Sequence, residues 1–545
     1  MSHRSATTQY ADDVSTATPR TGGEAVAAAL ERAGVEHLFG VQGGAIMPVY
    51  DALYDSTMGH VTMAHERSAA HAAHAYGVVS GTPGVCLATS GPGATNLVTG
   101  LADAAANDAP LLALTGQAPS HLIGRDAFQE APTVDVTGPV TKANYLVTDV
   151  DVVGDTVAEA FALARAGRPG PTLVDLPKDV TLATTDRSPT APSPSVDSEA
   201  PERVDPESVS AAAEALAGAD RPVVLSGRGV IAGDASAELR AFVTAHGIPV
   251  ATTVPGLGSF PEDHPLSLSV AGTHGTACAN RALANCDAVL AVGADFDGST
   301  GGVETVAPDA ESVHLDATGM PRADHPLVGD VGTALEQLFD AMPRSPDAAA
   351  WRGRTDAWRR ESAPDDAPAD GPLTPRAVVE RLDELTPDDT LVTTGGGRHQ
   401  WWAMRYWTFR RPRTWLSTHL GTMGYGLPAA IGACVATGGD RPVVCIEGAD
   451  SFLTTQQELA VAVREALDLT VVVLHDATPG SARTAPHRAG DPQFDVLADV
   501  FGARGFRLND PDGVERTLEA ALAVDGPSVV DVHLDPEVVP AGDDL

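Results

Sequence analysis

The sequence predicts an α/β protein built from three doubly wound parallel-sheet domains. Three observations carry the prediction. Apolar strand-like runs alternate with amphipathic helical segments along the chain, the rhythm of parallel sheets covered by helices. The 545 residues exceed one ordinary core, and at about 100–200 residues per domain they suggest about three. Two stretches rich in Pro, Ala, Ser and acid, Asp186–Arg203 and roughly 344–372, divide the chain into blocks of 20–185, 204–343 and 373–545.

In the first block, a helix over Gly23–Gly34 leads to the strand His37–Val41, and Gln42-Gly43-Gly44 turns into a helix carrying Tyr50, Asp51 and Tyr54. The stretch His65–Gln117 follows. It reads as an Ala-rich helix behind a single carboxylate, Glu66, then the strand Val85–Thr89, the turn Ser90–Asn96 (SGPGATN), a second helix and the strand Leu111–Thr115. Loops at the carboxyl ends of such strands are where open α/β sheets bind ligands. Glu66 is the one acid in this apolar neighbourhood, a setting that raises a carboxyl pKa towards neutrality and suits it to proton transfer. The block closes with Gly124–Glu130 (GRDAFQE), Thr141–Asn144 and the proline-flanked strand within Gly167–Val180.

The middle block opens with a helix over Val209–Ala217, the strand Pro222–Leu225 and the tight turn Ser226–Gly229, and later has the strand Ala288–Val292. No GxGxxG follows a strand with an acid about twenty residues on, so the dinucleotide fingerprint of an NAD-dependent dehydrogenase is missing. In the third block the strand Val443–Ile446 ends in Glu447-Gly448-Ala449-Asp450. Thr455 and Glu458 form a capping-box pattern that starts a helix to about Glu465, and the strand Leu469–Leu474 ends in His475-Asp476. A right-handed crossover would bring Asp450 and Asp476 to one carboxyl edge, close enough to share a cation. Upstream, the Gly-rich loop Leu420–Pro428 leads into a helix over Ala429–Ala436.

The 73 acidic against 35 basic residues give a net charge of −38, and Lys142 and Lys178 are the only lysines. Spread evenly, this acid excess suggests the solvated surface of a salt-adapted protein, and it excludes a nucleic-acid binder, which needs a basic face. Cys86, Cys278, Cys286, Cys434 and Cys445 are odd in number and lack zinc-ligand spacing, so buried free thiols are expected. Met1–Pro19 has no apolar core of a signal peptide, and no apolar run is long enough to span a bilayer. The expectation is a cytoplasmic protein with no membrane partner.

FGVQGGAIMPVYDAL, CLATSGPGATNLVTGLADA, IGRDAFQE, TKAN, GRPGPTLVDLPKDV, GLGSFPEDHPLS, HGT, HQWWA and LGTMGYGLPAAIGA occur in that order from about Thr21 to Val538. Together they resemble the thiamin-diphosphate enzymes, and within them the acetolactate synthase large subunit. The resemblance implies a pyrimidine-binding domain, a middle domain and a diphosphate-binding domain, with the cofactor between the first domain of one subunit and the third of another. A homodimer or homotetramer is then expected, with a regulatory small subunit as a further partner and a place in branched-chain amino acid biosynthesis. Glu66 matches the glutamate that activates the cofactor, whose ring then adds to a 2-keto acid such as pyruvate and serves as the electron sink for decarboxylation. Met423 matches the residue that props the cofactor in its bent shape, with backbone groups of Gly421 and Met423 at the pyrimidine edge. His399 and Gln400 match the segment near the diphosphate, and Gly448 and Ser451 complete the cofactor-binding set. Gln117 is matched as catalytic, and Phe128 and Gln129 as substrate-side residues.

The chain also departs from that pattern. The family's metal site uses an Asp in a Gly-Asp-Gly turn, but Ala449 stands there, with Asp450 one residue late. Asp476 and the backbone carbonyl of Thr478 are the other expected Mg²⁺ ligands. Asp295 and Ser299 replace two family arginines, one that helps hold FAD and one that receives the second substrate's carboxylate, and the segment Ala477–Asp491 is short. The expected function is a thiamin-diphosphate-dependent carboligase or decarboxylase. The rival is a catalytically impaired paralogue that keeps the fold as an assembly or regulatory subunit.

Overall fold

The computed structural model describes residues 19–188, 201–294, 306–318, 323–342, 344–362, 372–475 and 492–534. Three six-stranded sheets organise these residues, and every strand pair within them is parallel. The first sheet runs Gly59–Thr62, His37–Gly40, Gly84–Ala88, Leu111–Gln117, Pro171–Pro177, Ala143–Leu146. The third runs Trp415–Ser417, Leu391–Thr394, Val443–Gly448, Thr470–His475, Ser528–His533, Arg504–Leu508. Numbered within each sheet by chain order, both follow 2-1-3-4-6-5, so the two outer units share one plan. The middle sheet runs Ser267–Val270, Val250–Thr252, Pro222–Ser226, Ala288–Val292, Glu311–Asp316, His325–Val328, which is the doubly wound order 3-2-1-4-5-6.

This topology positions the sites. In an open α/β sheet the crevice forms where the strand order reverses, because the loops on either side of that point leave in opposite directions. In the first sheet the point falls between His37–Gly40 and Gly84–Ala88, which puts the 42–44 and 90–96 turns side by side. In the third sheet it falls between Leu391–Thr394 and Val443–Gly448, so Gly395–Gly397 and Gly448–Asp450 flank it.

The Glu66–Ser80 helix is buried continuously from Ser68 to Gly77. Gly84 of its own sheet presses on the Ala73 carbonyl from one side, and Gly432 of the Gly426–Thr437 helix presses on the Ala72 carbonyl from the other. A Cβ at either glycine would overlap backbone. The alanine-rich composition is therefore the packing requirement of a helix held between a sheet and a second helix.

The structure corrects two expectations of the sequence. The 344–372 stretch contains the helix Ala349–Ser362, docked on the middle domain. Trp351 is buried there and donates its indole N–H to the Pro222 carbonyl at 3.1 Å. Its neighbour Trp358 meets it edge-on, with ring centroids 5.6 Å apart. Trp351, Thr355 and Trp358 recur at helical spacing, a signal that the polar composition masked. Similarly, Thr455 and Glu458 make no capping box: Thr455 precedes a 3₁₀ turn without a side-chain cap. Glu458 is fully buried and accepts the Ala64 N–H at 3.0 Å, across to the first domain. The chain's capping box lies instead at Thr21 and Glu24. All five cysteines are free and buried. Among the described residues no helix is long and apolar enough to cross a membrane.

Glu262 joins the middle and third domains, accepting the Phe409 N–H at 2.8 Å and the Ser269 hydroxyl at 2.6 Å. Burial pushes its carboxyl from an ordinary 4.5 up to about 7, against the pull of those two bonds. The folded state then holds a proton that the unfolded state has released, so stability falls as pH rises through this window. Glu262→Gln should remove that slope. Denaturant unfolding at the two ends of the window checks it: the variant should gain on the wild type as pH rises, and an unchanged difference would refute the assignment.

Candidate active site

Glu66 is the first residue of its helix, and His65 caps that helix by accepting the Arg67 N–H through Nδ1 at 3.0 Å. Its side chain is 13% exposed. Asn96, at the end of the short Pro92–Asn96 helix, donates to Oε2 at 2.9 Å. A Cβ on Gly93 would come within 3.3 Å of Oε1, so the missing side chain leaves room beside that oxygen. The helix end is fixed to the third domain by Glu458 at Ala64 and by the Arg67 guanidinium donating to the Thr454 carbonyl at 2.9 Å.

The residues expected on the substrate side gather over the same turn. Gly91, at a φ of 59°, packs against the Gln129 backbone, and a Cβ there would lie 2.7 Å from the Gln129 carbonyl oxygen. Gln129 itself has a φ of 56°. Its loop is tied by Glu130, whose carboxylate accepts backbone N–H groups of Gly124 and Ala127 and is held below its usual pKa by them. Phe128 is 89% exposed, a large apolar side chain at the rim of the site.

Gln117, expected as catalytic, has its amide engaged within the protein. Its amide is buried, and its two N–H groups are spent on Asp175 Oδ2 at 2.8 Å and the Ala131 carbonyl at 2.9 Å. Its oxygen accepts the Ala118 N–H at 2.8 Å. The side chain therefore pins the loop carrying Phe128 and Gln129, which is a positioning role. Burial pushes its partner Asp175 up to about 6, against hydrogen bonds from Thr115, Gln117 and Thr133.

The second half-site is a glycine cradle. Gly395–Gly397 leave the strand Leu391–Thr394, and a Cβ on Gly396 would overlap Gly421. The Gly424 N–H donates to Ser451 Oγ at 2.8 Å, with Gly424 at a φ of 82° and no space for a Cβ beside Thr454. Gly448 sits under the His399 ring, where a Cβ would lie 2.7 Å from Nδ1. Gln400 donates to the Thr418 carbonyl at 3.0 Å. Met423 is 50% exposed and Leu420 53%, two large apolar side chains with no cover. Gly395–Gly397 and Glu447 had no role assigned from the sequence. Glu447 is fully buried, accepts the Gly426 N–H at 2.8 Å, and holds Oε2 3.3 Å from His399 Nε2. The signal was the run Thr394-Gly-Gly-Gly-Arg398 directly after an apolar strand, where backbone must approach a ligand closely.

Comparison with known proteins fits this geometry. Residues 20–137 match the thiamine pyrophosphate enzyme N-terminal TPP binding domain, 209–338 its central domain, and 395–532 its C-terminal TPP binding domain. The chain belongs to the thiamine pyrophosphate enzymes. It is 38% identical to the probable acetolactate synthase large subunit of Methanocaldococcus jannaschii, over 94% of this chain and 92% of that protein. It is 39% identical to the acetolactate synthase isozyme 2 large subunit of Escherichia coli, over 94% and 95% respectively. For the probable chloroplastic acetolactate synthase 2 of Oryza sativa the figures are 41% over 94% and 83%. It is thus an acetolactate-synthase-like thiamine pyrophosphate enzyme.

The residues present fit thiamin diphosphate. Gly396, Gly421, Gly424 and Gly448 leave a concave backbone surface that side chains would fill, and an apolar rim stands uncovered beside it. The Mg²⁺ donors fit less well. Ala449 offers no donor, and Asp450 is exposed in the first turn of a five-residue helix. Asp476 and Thr478 lie outside the described residues, as do Asp295, Ser299 and the 477–491 segment. The described donors alone do not make an octahedral Mg²⁺ site.

Gly424→Ala should cost about ten-fold or more in thiamin diphosphate affinity. Both its left-handed backbone and the Thr454 hydroxyl oppose a methyl group there. Isothermal titration checks it, and wild-type affinity in the variant would remove Gly424 from the site.

Proposed function

We propose that this protein is a thiamin-diphosphate-dependent carboligase or decarboxylase acting on a 2-keto acid such as pyruvate, in the manner of acetolactate synthase. The observation that carries this reading is the pairing of an isolated carboxylate, Glu66 with Asn96, with a separate glycine cradle suited to a diphosphate. When bound, thiamin diphosphate supplies an acidic ring carbon and an electron sink for carbon–carbon bond cleavage and formation. Glu66 holds or releases a proton at the pyrimidine ring, and Asn96 fixes its Oε2 so that Oε1 keeps a set position beside Gly93. Met423 and Leu420 cover the cofactor's apolar faces. His399, Gln400, Gly448 and Ser451 line the diphosphate end. Phe128 closes the substrate side and excludes water, while Gln117 holds its loop.

The site is completed by a second subunit in this proposal, as a homodimer or homotetramer. The exposure of Phe128, Leu420 and Met423 supports that arrangement, because three large apolar side chains stand uncovered at the two half-sites. The names of the relatives as large subunits suggest a regulatory small subunit as well. A cytoplasmic enzyme of branched-chain amino acid biosynthesis follows from the same likeness. FAD has no support in this reading.

The test is titration of the purified protein with thiamin diphosphate in high salt, followed by turnover of pyruvate. Saturable binding with release of carbon dioxide is expected, and no binding would overturn the proposal. Mg²⁺ is proposed to bind through Asp450, Asp476 and the Thr478 carbonyl, weakly for want of a carboxylate at position 449. Ala449→Asp should therefore tighten the Mg²⁺ requirement about ten-fold, read from cofactor quenching of Trp401 and Trp402 fluorescence. An unchanged Mg²⁺ midpoint would place the ion's ligands elsewhere.

A further inference from the structure

The seam between the first and third domains holds a buried polar cluster that the proposed reaction does not use. His71 and His74 lie one turn apart on the Glu66–Ser80 helix, and Asp103 projects from the Val98–Ala106 helix; all three are at most 1% exposed. Asp103 Oδ1 accepts the Thr418 hydroxyl at 2.7 Å and the Leu420 N–H at 3.2 Å. Its Oδ2 has no hydrogen-bond partner and lies 3.8 Å from Nδ1 of each histidine. Both ring nitrogens of His71, Nδ1 of His74 and the Tyr425 hydroxyl are also buried without a partner. The Tyr425 ring stands 5.2 Å and 5.1 Å from the two imidazoles.

A buried polar atom left unsatisfied costs about 1–3 kcal/mol, so several converging on one point require an occupant. Burial pushes His71 down to about 3 and His74 well below its usual value, which keeps both rings neutral with lone pairs available. We propose that His71, His74 and Asp103 bind a transition-metal ion of the Zn²⁺ class across this seam. The three ligand atoms lie within 4.8 Å of one another. Closing in by roughly half an ångström would bring them to the ~2.0–2.2 Å of zinc–nitrogen and zinc–oxygen bonds. Two imidazoles and a carboxylate are the donor set such ions take, and Tyr425 or a water completes the shell. The bonds from Thr418 and Leu420 orient the carboxylate, as an outer shell does at a metal site.

The other charged groups in electrostatic reach are Arg67, which acts on His71, and Arg228 and His419. The Arg228 cation weakens the site, so the ion is exchangeable and yields to a chelator. Because Asp103 holds the Leu420 N–H, one residue before Gly421, the ion also stiffens the cofactor loop. The inference is independent of the thiamin reading.

The test uses the full-length protein, stripped with chelator and dialysed against Co²⁺ or Zn²⁺ without thiamin diphosphate or Mg²⁺. One equivalent per chain is expected, with the visible absorption of low-symmetry Co²⁺. Uptake should be lost in His71→Ala and His74→Ala and kept in His533→Ala, which disrupts the described residues' other histidine–aspartate cluster. Circular dichroism confirms that each variant is folded. If the alanine variants fail to fold, the wild-type arm decides: a Zn²⁺-dependent rise in its unfolding midpoint with one equivalent bound supports the site. Uptake below a tenth of an equivalent overturns it and assigns the cluster to water. Full uptake in folded His71→Ala and His74→Ala overturns it equally.

Discussion

Glu66→Gln should lower pyruvate turnover about a thousand-fold while leaving thiamin diphosphate affinity within a few-fold of wild type. The glutamine oxygen still accepts from Asn96. The change therefore removes one capacity, that of holding and releasing a proton at the pyrimidine. Parallel measurement of cofactor binding and carbon dioxide release separates the two effects. Turnover that survives the substitution would sink the proposed mechanism while leaving the fold assignment intact. Loss of binding together with turnover would instead make Glu66 a structural residue.

Gly432→Ala should destabilise the protein by about 2 kcal/mol, although alanine is the better helix former by about 1 kcal/mol. Gly432 is where the Gly426–Thr437 helix crosses the Glu66–Ser80 helix, and a methyl group there would overlap the Ala72 carbonyl. Backbone cannot step aside as a flexible side chain would, so overlap outweighs propensity. Gly218→Ala provides the contrast. It lies at the last position of the Pro206–Gly218 helix, where a Cβ meets nothing within 4 Å, so propensity alone acts and the effect is neutral or mildly stabilising. Guanidinium unfolding of both variants decides the matter, and equal effects would mean that the helix crossing is not tightly packed. The same crossing carries Glu66 at one helix end and the histidine cluster in its middle, so its packing bears on both sites.

Much of this architecture was legible in the linear chain because it rests on local chemistry. Apolar runs such as Ala288–Val292 appear as strands with the expected limits, and Pro222–Leu225 extends by one residue. Glu66 stood out as a single acid in an apolar stretch, and the Gly-rich loop at 421–424 stood out by composition. Elements whose sequence signal conflicts with their environment were missed. The Ala349–Ser362 helix is mostly polar, and Trp351 and Thr355 are its only fully buried residues, so composition made it look like a linker. Thr455 and Glu458 have the spacing of a capping box, but Glu458 gains more from the Ala64 N–H of a distant segment, and the local motif gives way. Gln117 was matched as catalytic only through the family resemblance, and the sequence held no sign that its amide would be bonded to Asp175.

By itself the sequence determined the fold class and the family, and it singled out Glu66 as the carboxylate of the proposed chemistry. These follow from periodicity, turn residues and motif order, all of which lie along the chain. Only the tertiary structure decided that the outer sheets share one strand order, that the Gln117 amide is bonded to Asp175, and that Glu447 and His399 meet beneath the cradle. It alone brought His71, His74, Asp103 and Tyr425 into one buried cluster. Those facts depend on which groups lose water together, and that is set by contacts between residues hundreds of positions apart.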